Sequence, residues 1–487
     1  MQRIILSFIK RILKALFYGL VGGFIVLMVV FILHLESRPD LKVWHEAKLD
    51  AEFTADSSVY TFEEYLALEA RLFAQLEKFV CARIEPEDRR LINRYHKGSL
   101  SDPERWVPNW NRTFEFSADS PRAGVLLLHG MSDSPYSLSS VGERLHAAGA
   151  WVIGLRLPGH GTAPSGLVEV RWEDMATAVR LAARHLHDKI GNKPLYILGY
   201  SNGGALAVHY ALVSLENPTL PQVKALVLIS PAIGVSQLAA LAVWQARIGH
   251  LLGLDKLAWN DILPEYDPFK YQSFAVNAGD QVYRLTSHIQ SKIVKLGAAG
   301  GVRHFPSVLA FQSVADATVS TQAVVDGLFA RLPVGGHELV LFDINRNHEV
   351  KQLLKNDPGV LITKVFNDPD LSFTISLVTN ESKKNSQVIV YQKGPGKRES
   401  TKTPLDLKWP SGVYSLLHVA LPFPADDPLY GNSDAVNSLG IKLGNVALRG
   451  ERDVLQIPAA DMLRLRWNPF YSYMEKRLIE FLHLEEN

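Results

Sequence analysis

Apolar positions in this chain follow three patterns, and each predicts a different kind of element. Residues 15–33 carry no charge and consist mainly of Leu, Val, Ile, Phe and Gly. At helical rise this run is about 28 Å long, close to the hydrocarbon thickness of a bilayer. Between residues 61 and 79 the spacing is helical instead: Thr61-Phe62-Glu63-Glu64 has the form of a capping box, followed by Tyr65, Leu68, Leu72, Leu76 and Phe79 on one face. From residue 124 to residue 229 short apolar runs of strand length alternate with helical segments. Strands are expected at 124–129, 151–155, 194–200 and 225–229, and helices at 137–148, 171–190 and from Ala205 onward. Such alternation implies parallel crossovers and an α/β sheet covered on both faces.

Beyond Ala232 the alternation lapses into a helical stretch to about Phe305, containing the apolar run 238–254, which is too short to span a bilayer. Strands at 307–313 and 338–342, with a helix at 321–332, then resume the pattern. Residues 350–410 read as a β-rich insertion with strand pieces at 361–366, 373–378 and 388–391 and a charged loop at 393–402. A returning strand is expected at 412–417. Asn468 and Pro469 open a closing helix with Phe470, Met474, Leu478, Phe481 and Leu482 on one face.

Charge orients the apolar run. Arg3, Lys10, Arg11 and Lys14 precede it, whereas Glu36, Arg38, Asp40 and Lys42 follow in mixed sign. The basic flank predicts a single-pass anchor at 15–35, a cytoplasmic tail at 1–14, and everything beyond on the non-cytoplasmic side, the periplasm in a bacterium. A cleaved signal peptide is the rival, but 35–39 offers no small-x-small cleavage site. A net charge of +1 excludes a polyelectrolyte surface, so no nucleic-acid partner is expected. The single cysteine, Cys81, excludes an intrachain disulfide framework or a cysteine-based metal cluster. No histidine pair or carboxylate cluster has metal-ligand spacing on one helix, and no glycine loop has the form of a phosphate cradle, so no cofactor is expected.

The candidate chemistry begins at Gly199-Tyr200-Ser201-Asn202-Gly203, which joins an apolar strand to a helix. In a nucleophile elbow the serine stands on so sharp a turn that side chains at the flanking glycines would collide with it or hold the helix off the strand. Ser201 needs a base to take its proton, and the base needs an orienting carboxylate.

Taken with His129-Gly130 and Pro158-Gly159-His160-Gly161, the elbow resembles the α/β-hydrolase superfamily. The nearest likeness is its lysophospholipase, carboxylesterase and serine-aminopeptidase-like branch. The resemblance is strongest over 125–229 and looser elsewhere. It implies a hydrolase domain at 117–487 behind a juxtamembrane helical region at 36–116, with a helical cap at about 232–305 and an insertion at about 350–410. It also implies an acid after the strand ending near Ser313, where Asp316 stands in an Asp-x-x-Val setting. Asp326 falls inside a helix and Asp343 ends the next strand, so both are lesser rivals. The base is left between two histidines. His348 follows strand 338–342 closely; His418, favoured here, follows the insertion in a loop rich in prolines and aromatics. By resemblance the oxyanion donors are the backbone N–H groups of Met131 and Asn202, while His129 and His160 shape loops.

The expectation is a membrane-anchored serine hydrolase cleaving carboxylic esters, with acyl-lipid or lysophospholipid substrates, through an acyl-enzyme. A peptidase of the proline-iminopeptidase type and a catalytically silent hydrolase-fold scaffold are the alternatives.

Overall fold

The computed structural model describes residues 2–90, 92–234, 254–298, 301–316, 318–347, 354, 357–432, 441–444 and 465–485. The strands are β1 (Phe114–Phe116), β2 (Ala123–Leu128), β3 (Ala150–Leu155), β4 (Leu195–Tyr200), β5 (Ala225–Ile229), β6 (Trp259–Asp261), β7 (Phe274–Ala275), β8 (Ser307–Ser313), β9 (His337–Phe342), β10 (Thr374–Asn380), β11 (Gln387–Lys393) and β12 (Thr401–Lys408). Ten of them form one sheet in the order β1-β3-β2-β4-β5-β8-β9-β10-β11-β12, while β6 and β7 pair separately. From β3 to β10 every neighbouring pair is parallel. The edges are antiparallel, β1 on β3 at one end and β11 and β12 at the other.

Parallel strands covered on both faces have no polar side, which is why β2, β4, β5 and β9 are buried at every residue. One face packs the helices Phe62–Phe79, Trp172–Ile190, Asn202–Glu216 and Val276–Ala298. The other packs Ser139–Ala147 and the closing helix Tyr471–Phe481. The helix Phe62–Phe79 starts at the capping box, with Glu64 N donating to Thr61 Oγ1 and Thr61 N to the Glu64 carboxylate, both at 3.1 Å. It lays Tyr65, Leu72 and Phe73 into the core. Burying a side chain of leucine size contributes about 2 kcal/mol.

The insertion differs in detail from the expectation. Residues 361–366, a β-branched run read as a strand, lie inside the helix Pro358–Asn367. Asp357 caps that helix by accepting from Gly359 N at 2.9 Å, and Pro358 occupies its first turn. Residues 412–417 form no strand. Their carbonyls are taken individually, Val413 O by Asn345 Nδ2, Tyr414 O by Asn345 N and Leu416 O by Ser313 Oγ. Three further strands, β10 to β12, extend the main sheet, and β12 begins within the stretch read as a charged loop. β1 adds residues 114–116, read as juxtamembrane, to the sheet. The apolar run 238–254 lies outside the described residues except for Leu254.

The chain begins with one helix, Gln2–Glu36. Its segment Lys10–Glu36, 27 residues, is long and apolar enough to cross a membrane. Immediately after it, Arg38 donates to the carbonyls of Lys256, Trp259 and Asn260 at 2.7–3.0 Å, and Lys256 Nζ returns a bond to Arg38 O.

Candidate active site

Ser201 closes β4 with φ 53° and ψ −115° and leads directly into the helix Asn202–Glu216. That left-handed conformation in a non-glycine residue costs about 1–3 kcal/mol, so the surroundings must hold it. They do so through the backbone: Ser201 N donates to Ile229 O at 2.9 Å, and Ala232 N donates to Ser201 O at 3.0 Å. The flanking glycines are required by space. A Cβ on Gly199 would stand 2.3 Å from Gly203 O, and one on Gly203 would stand 1.9 Å from Leu128 O at the end of β2.

Asp316 lies in the turn after β8, with a fully buried side chain. Its Oδ1 accepts from Thr318 N and Val319 N, both at 2.9 Å, and its Oδ2 accepts from Gln312 Nε2 at 3.0 Å and pairs with His418 Nδ1 at 2.9 Å. The backbone donors fix the carboxylate as an acceptor, so Nδ1 of His418 carries the proton and Nε2 presents a lone pair. His418 begins a short 3-10 turn, His418–Ala420. It is held against the residue preceding the serine: its carbonyl accepts from Tyr200 Oη at 3.3 Å, and the two rings stand 5.2 Å apart. Ser201 Oγ makes no hydrogen bond to a described residue. The structure therefore brings Asp316 and His418 together and sets the histidine beside the elbow, without a Ser201–His418 bond. His348 lies outside the described residues. Of the lesser acids, Asp343 is engaged by Arg346 and by Thr379 Oγ1, and Asp326 is exposed beside Lys364.

The loop after β2 runs through His129, Gly130 and Met131. His129 Nε2 accepts from Leu157 N at 3.0 Å, so its Nδ1 donates to Gly130 O at 2.8 Å. Burial keeps this ring neutral, pushing its pKa well below the ordinary histidine value, and holds His160 at about 4. The two rings meet edge to face at 5.0 Å, and His160 Nδ1 bonds Pro158 O. Both histidines thus tie loops to backbone. The N–H groups of Met131 and Asn202 have no acceptor among the described residues, and Asn202 opens a helix whose N-terminus favours negative charge. Such an arrangement can receive an oxyanion.

Sequence reading misses the groups that lock these loops to other segments. Arg156, 1% exposed, donates to Glu69 at 3.1 Å, to both oxygens of Glu52 at 2.9 and 3.2 Å, and to His160 O at 2.9 Å. It welds the segment before the sheet to the Pro158–Gly161 loop. Asp427 accepts from Tyr136 Oη, and Asp267 from Tyr430 Oη. Apart from the Arg156–His160 bond, these are contacts between residues far apart in the chain, and no local spacing signals them. One acidic group among the described residues, Glu85, Glu87 and Asp88, has the proximity a metal needs. Lys42 Nζ already sits among its carboxylates at 2.9–3.4 Å.

Comparison with known proteins finds matches over part of the chain. A family model described as serine aminopeptidase, S33, matches residues 119–350. A thermostable monoacylglycerol lipase from Bacillus sp. (strain H-257) is 24% identical over 181 residues, which cover 37% of this chain and 68% of the relative. Among solved structures, a monoacylglycerol lipase from Paleococcus ferrophilus shares 22% identity at a TM-score of 0.37, covering 47% of this chain and 88% of that one. A soluble variant of the Saccharomyces cerevisiae monoglyceride lipase shares 14% at a TM-score of 0.36, covering 47% and 82%.

Proposed function

We propose that this chain, which is an α/β-hydrolase, is a membrane-anchored serine hydrolase that cleaves carboxylic esters of acyl lipids. The observation that carries the reading is the 2.9 Å bond between Asp316 and His418, made beside a serine held at positive φ on a strand-to-helix turn. In this mechanism His418 Nε2 removes the Ser201 proton as Oγ attacks the ester carbonyl carbon. The carbonyl oxygen becomes an oxyanion received by the N–H groups of Met131 and Asn202. Collapse breaks the ester C–O bond, and His418 returns the proton to the departing alcohol. Water, activated by the same imidazole, then hydrolyses the acyl-enzyme. Asp316 keeps the ring in the required tautomer and stabilises the imidazolium.

The apolar helix and its basic N-terminal flank support an anchor with the catalytic domain on the non-cytoplasmic side. The bonds from Arg38 to residues 256–260, only two residues after the helix ends, support a cap edge close to the membrane surface.

The test is Ser201→Ala. It should abolish labelling by a fluorophosphonate probe and hydrolysis of short acyl esters; labelling that persists overturns the assignment. A peptidase reading is favoured only by the description of the matching family model. Faster turnover of aminoacyl amides than of acyl esters would select it.

A further inference from the structure

Among the described residues, one cation from the cap, Lys270, reaches the loop that carries the proposed oxyanion donor. Lys270 Nζ stands 3.6 Å from Asp133 Oδ1, and Asp133 lies two residues beyond Met131. The distance is that of an ion pair longer than a hydrogen bond, and none of the three ammonium N–H groups has an acceptor within hydrogen-bond distance among the described residues. The two partners differ in access: the Lys270 side chain is 29% exposed and that of Asp133 6%. Asp133 is in turn close to the site. Its Oδ2 is 3.2 Å from where a Cβ on Gly130 would be, and the Tyr200 ring is 3.1 Å from the same point. Burial pushes the Asp133 carboxyl up, with Lys270 and His418 opposing the shift and Asp267 adding to it.

The backbone around Lys270 is held on both sides. Asp267, fully buried, accepts from Phe269 N at 3.0 Å and Lys270 N at 3.2 Å, and is itself fixed by Tyr430 Oη at 2.8 Å and Arg466 at 3.5 Å. On the other side Tyr271 N donates to Ser132 O at 2.8 Å, and Tyr271 Oη accepts from Thr162 N at 2.7 Å. A lysine on a mobile loop loses side-chain and backbone freedom when it binds; here the backbone part is already fixed. The buried carboxylate holds the ammonium beside the oxyanion loop while leaving its donors available.

We infer that Lys270 is a specificity-determining residue whose ammonium donates to the oxygen atoms of the alcohol half of the substrate. An ammonium has donors only, so its ligand must supply acceptors. The hydroxyls of a glycerol headgroup and the phosphate of a phosphoglycerol headgroup share that chemistry. A short alkyl leaving group offers no oxygen beyond the scissile one, and a p-nitrophenyl group adds only the nitro oxygens, which accept far more weakly than a hydroxyl or a phosphate. The inference rests on the ester-hydrolase reading above.

The experiment compares full-length wild type, Lys270→Ala and Lys270→Arg on three decanoyl esters: 1-decanoylglycerol, a decanoyl lysophosphatidylglycerol and p-nitrophenyl decanoate. Lys270→Ala should lower kcat/KM by about ten-fold or more on at least one headgroup-bearing ester, the usual loss when a hydrogen bond to a charged group is removed. The loss should appear mainly in KM, with p-nitrophenyl decanoate within about two-fold of wild type and Lys270→Arg retaining much of the activity. A larger loss on the phosphorylated ester identifies phosphate as the recognised group, and a larger loss on 1-decanoylglycerol identifies the hydroxyls. Equal loss on all three esters means that Lys270 only supports the oxyanion loop, and overturns the inference. So does the absence of loss on any. A wild type that hydrolyses p-nitrophenyl decanoate but neither headgroup ester overturns it while sparing the parent reading. A wild type inert to all three overturns both.

Discussion

Gly203→Ala tests the coupling between the elbow and the oxyanion loop. The added Cβ would stand 1.9 Å from Leu128 O, 2.5 Å from Leu128 C and 2.6 Å from His129 O, all backbone atoms. Ordinary contact begins at 3.4 Å, so either the helix Asn202–Glu216 or the end of β2 must retreat by about 1.5 Å. The helix is fixed at Ser201 by the bonds to Ile229 and Ala232, which leaves the chain at residues 128–131 to yield. Overpacking of this kind costs about 1–3 kcal/mol of stability. A displacement of that size also takes Met131 N, the proposed donor, out of hydrogen-bond reach of the oxyanion, and losing one such donor costs about 100- to 1000-fold in kcat. Gly204→Ala is the control: its Cβ meets Pro231, at 2.8 Å from the side chain and 3.0 Å from Cα, and Gly199 O at 3.3 Å, and none of these nearest atoms belongs to the loop after β2. The assay is kcat for a short p-nitrophenyl ester, normalised to folded protein by a thermal melt. A folded Gly203→Ala variant with kcat within about three-fold of wild type would refute the reasoning, because the strand end could then absorb the methyl without moving the donor.

Three further outcomes follow from the same structure. Arg156→Met strands the buried carboxylate of Glu69 and the half-buried one of Glu52 and should cost about 3–5 kcal/mol. At about 1 kcal/mol per degree for a chain of this length, the melting temperature in detergent falls by about 3–5 °C; the triple variant with Glu52→Gln and Glu69→Gln should recover at least half, and a single variant melting like wild type contradicts the account. Burial depresses His209 to about 3, with His288, Arg180 and Lys292 adding to it. Its folded value lies below the unfolded one, so its contribution is intact above pH 7 and is lost as pH falls from about 6.5 toward 3. His209→Phe should therefore gain melting temperature relative to wild type between pH 7 and pH 5, and an unchanged difference rejects this. Deleting residues 1–35 should reduce hydrolysis of vesicle-embedded ester more than of soluble ester, with Arg38→Ala intermediate; equal loss on both, or none, argues against a membrane-facing cap.

The parallel core was legible because strands buried on both faces must be apolar runs, and those from 124 to 229 stand between helical patterns. The insertion was harder. Leu361 to Phe366 has strand composition, yet Asp357-Pro358-Gly359 before it is a helix-opening signal, and the cap decides the outcome. Residues 412–417 are apolar because they are buried near Asn345 and Ser313, not because they pair in a sheet. β12 escaped notice because its residues are largely exposed on both faces, so no apolar alternation marks it. At the site, Ser201 announces itself by a five-residue motif. Asp316 and His418 are 102 residues apart, and their meeting depends on how β10 to β12 are accommodated, which no local pattern encodes. Lys270, Asp133 and Arg156 carry the same lesson, since each acquires its partner only through tertiary contact.

The outermost strand, β12, has a bearing on how these molecules coexist. A sheet ends in unpaired N–H and C=O groups that another chain can extend, and chains tethered in one plane meet more often than chains in solution. Here β12 carries Lys402, Asp406 and Lys408 exposed, and Pro404, opposite Ile389, has no N–H to offer. At the far end, β1 is only three residues long. Both rims of the sheet are therefore poor templates, and under the proposed membrane anchoring copies can crowd together without their sheets joining into one.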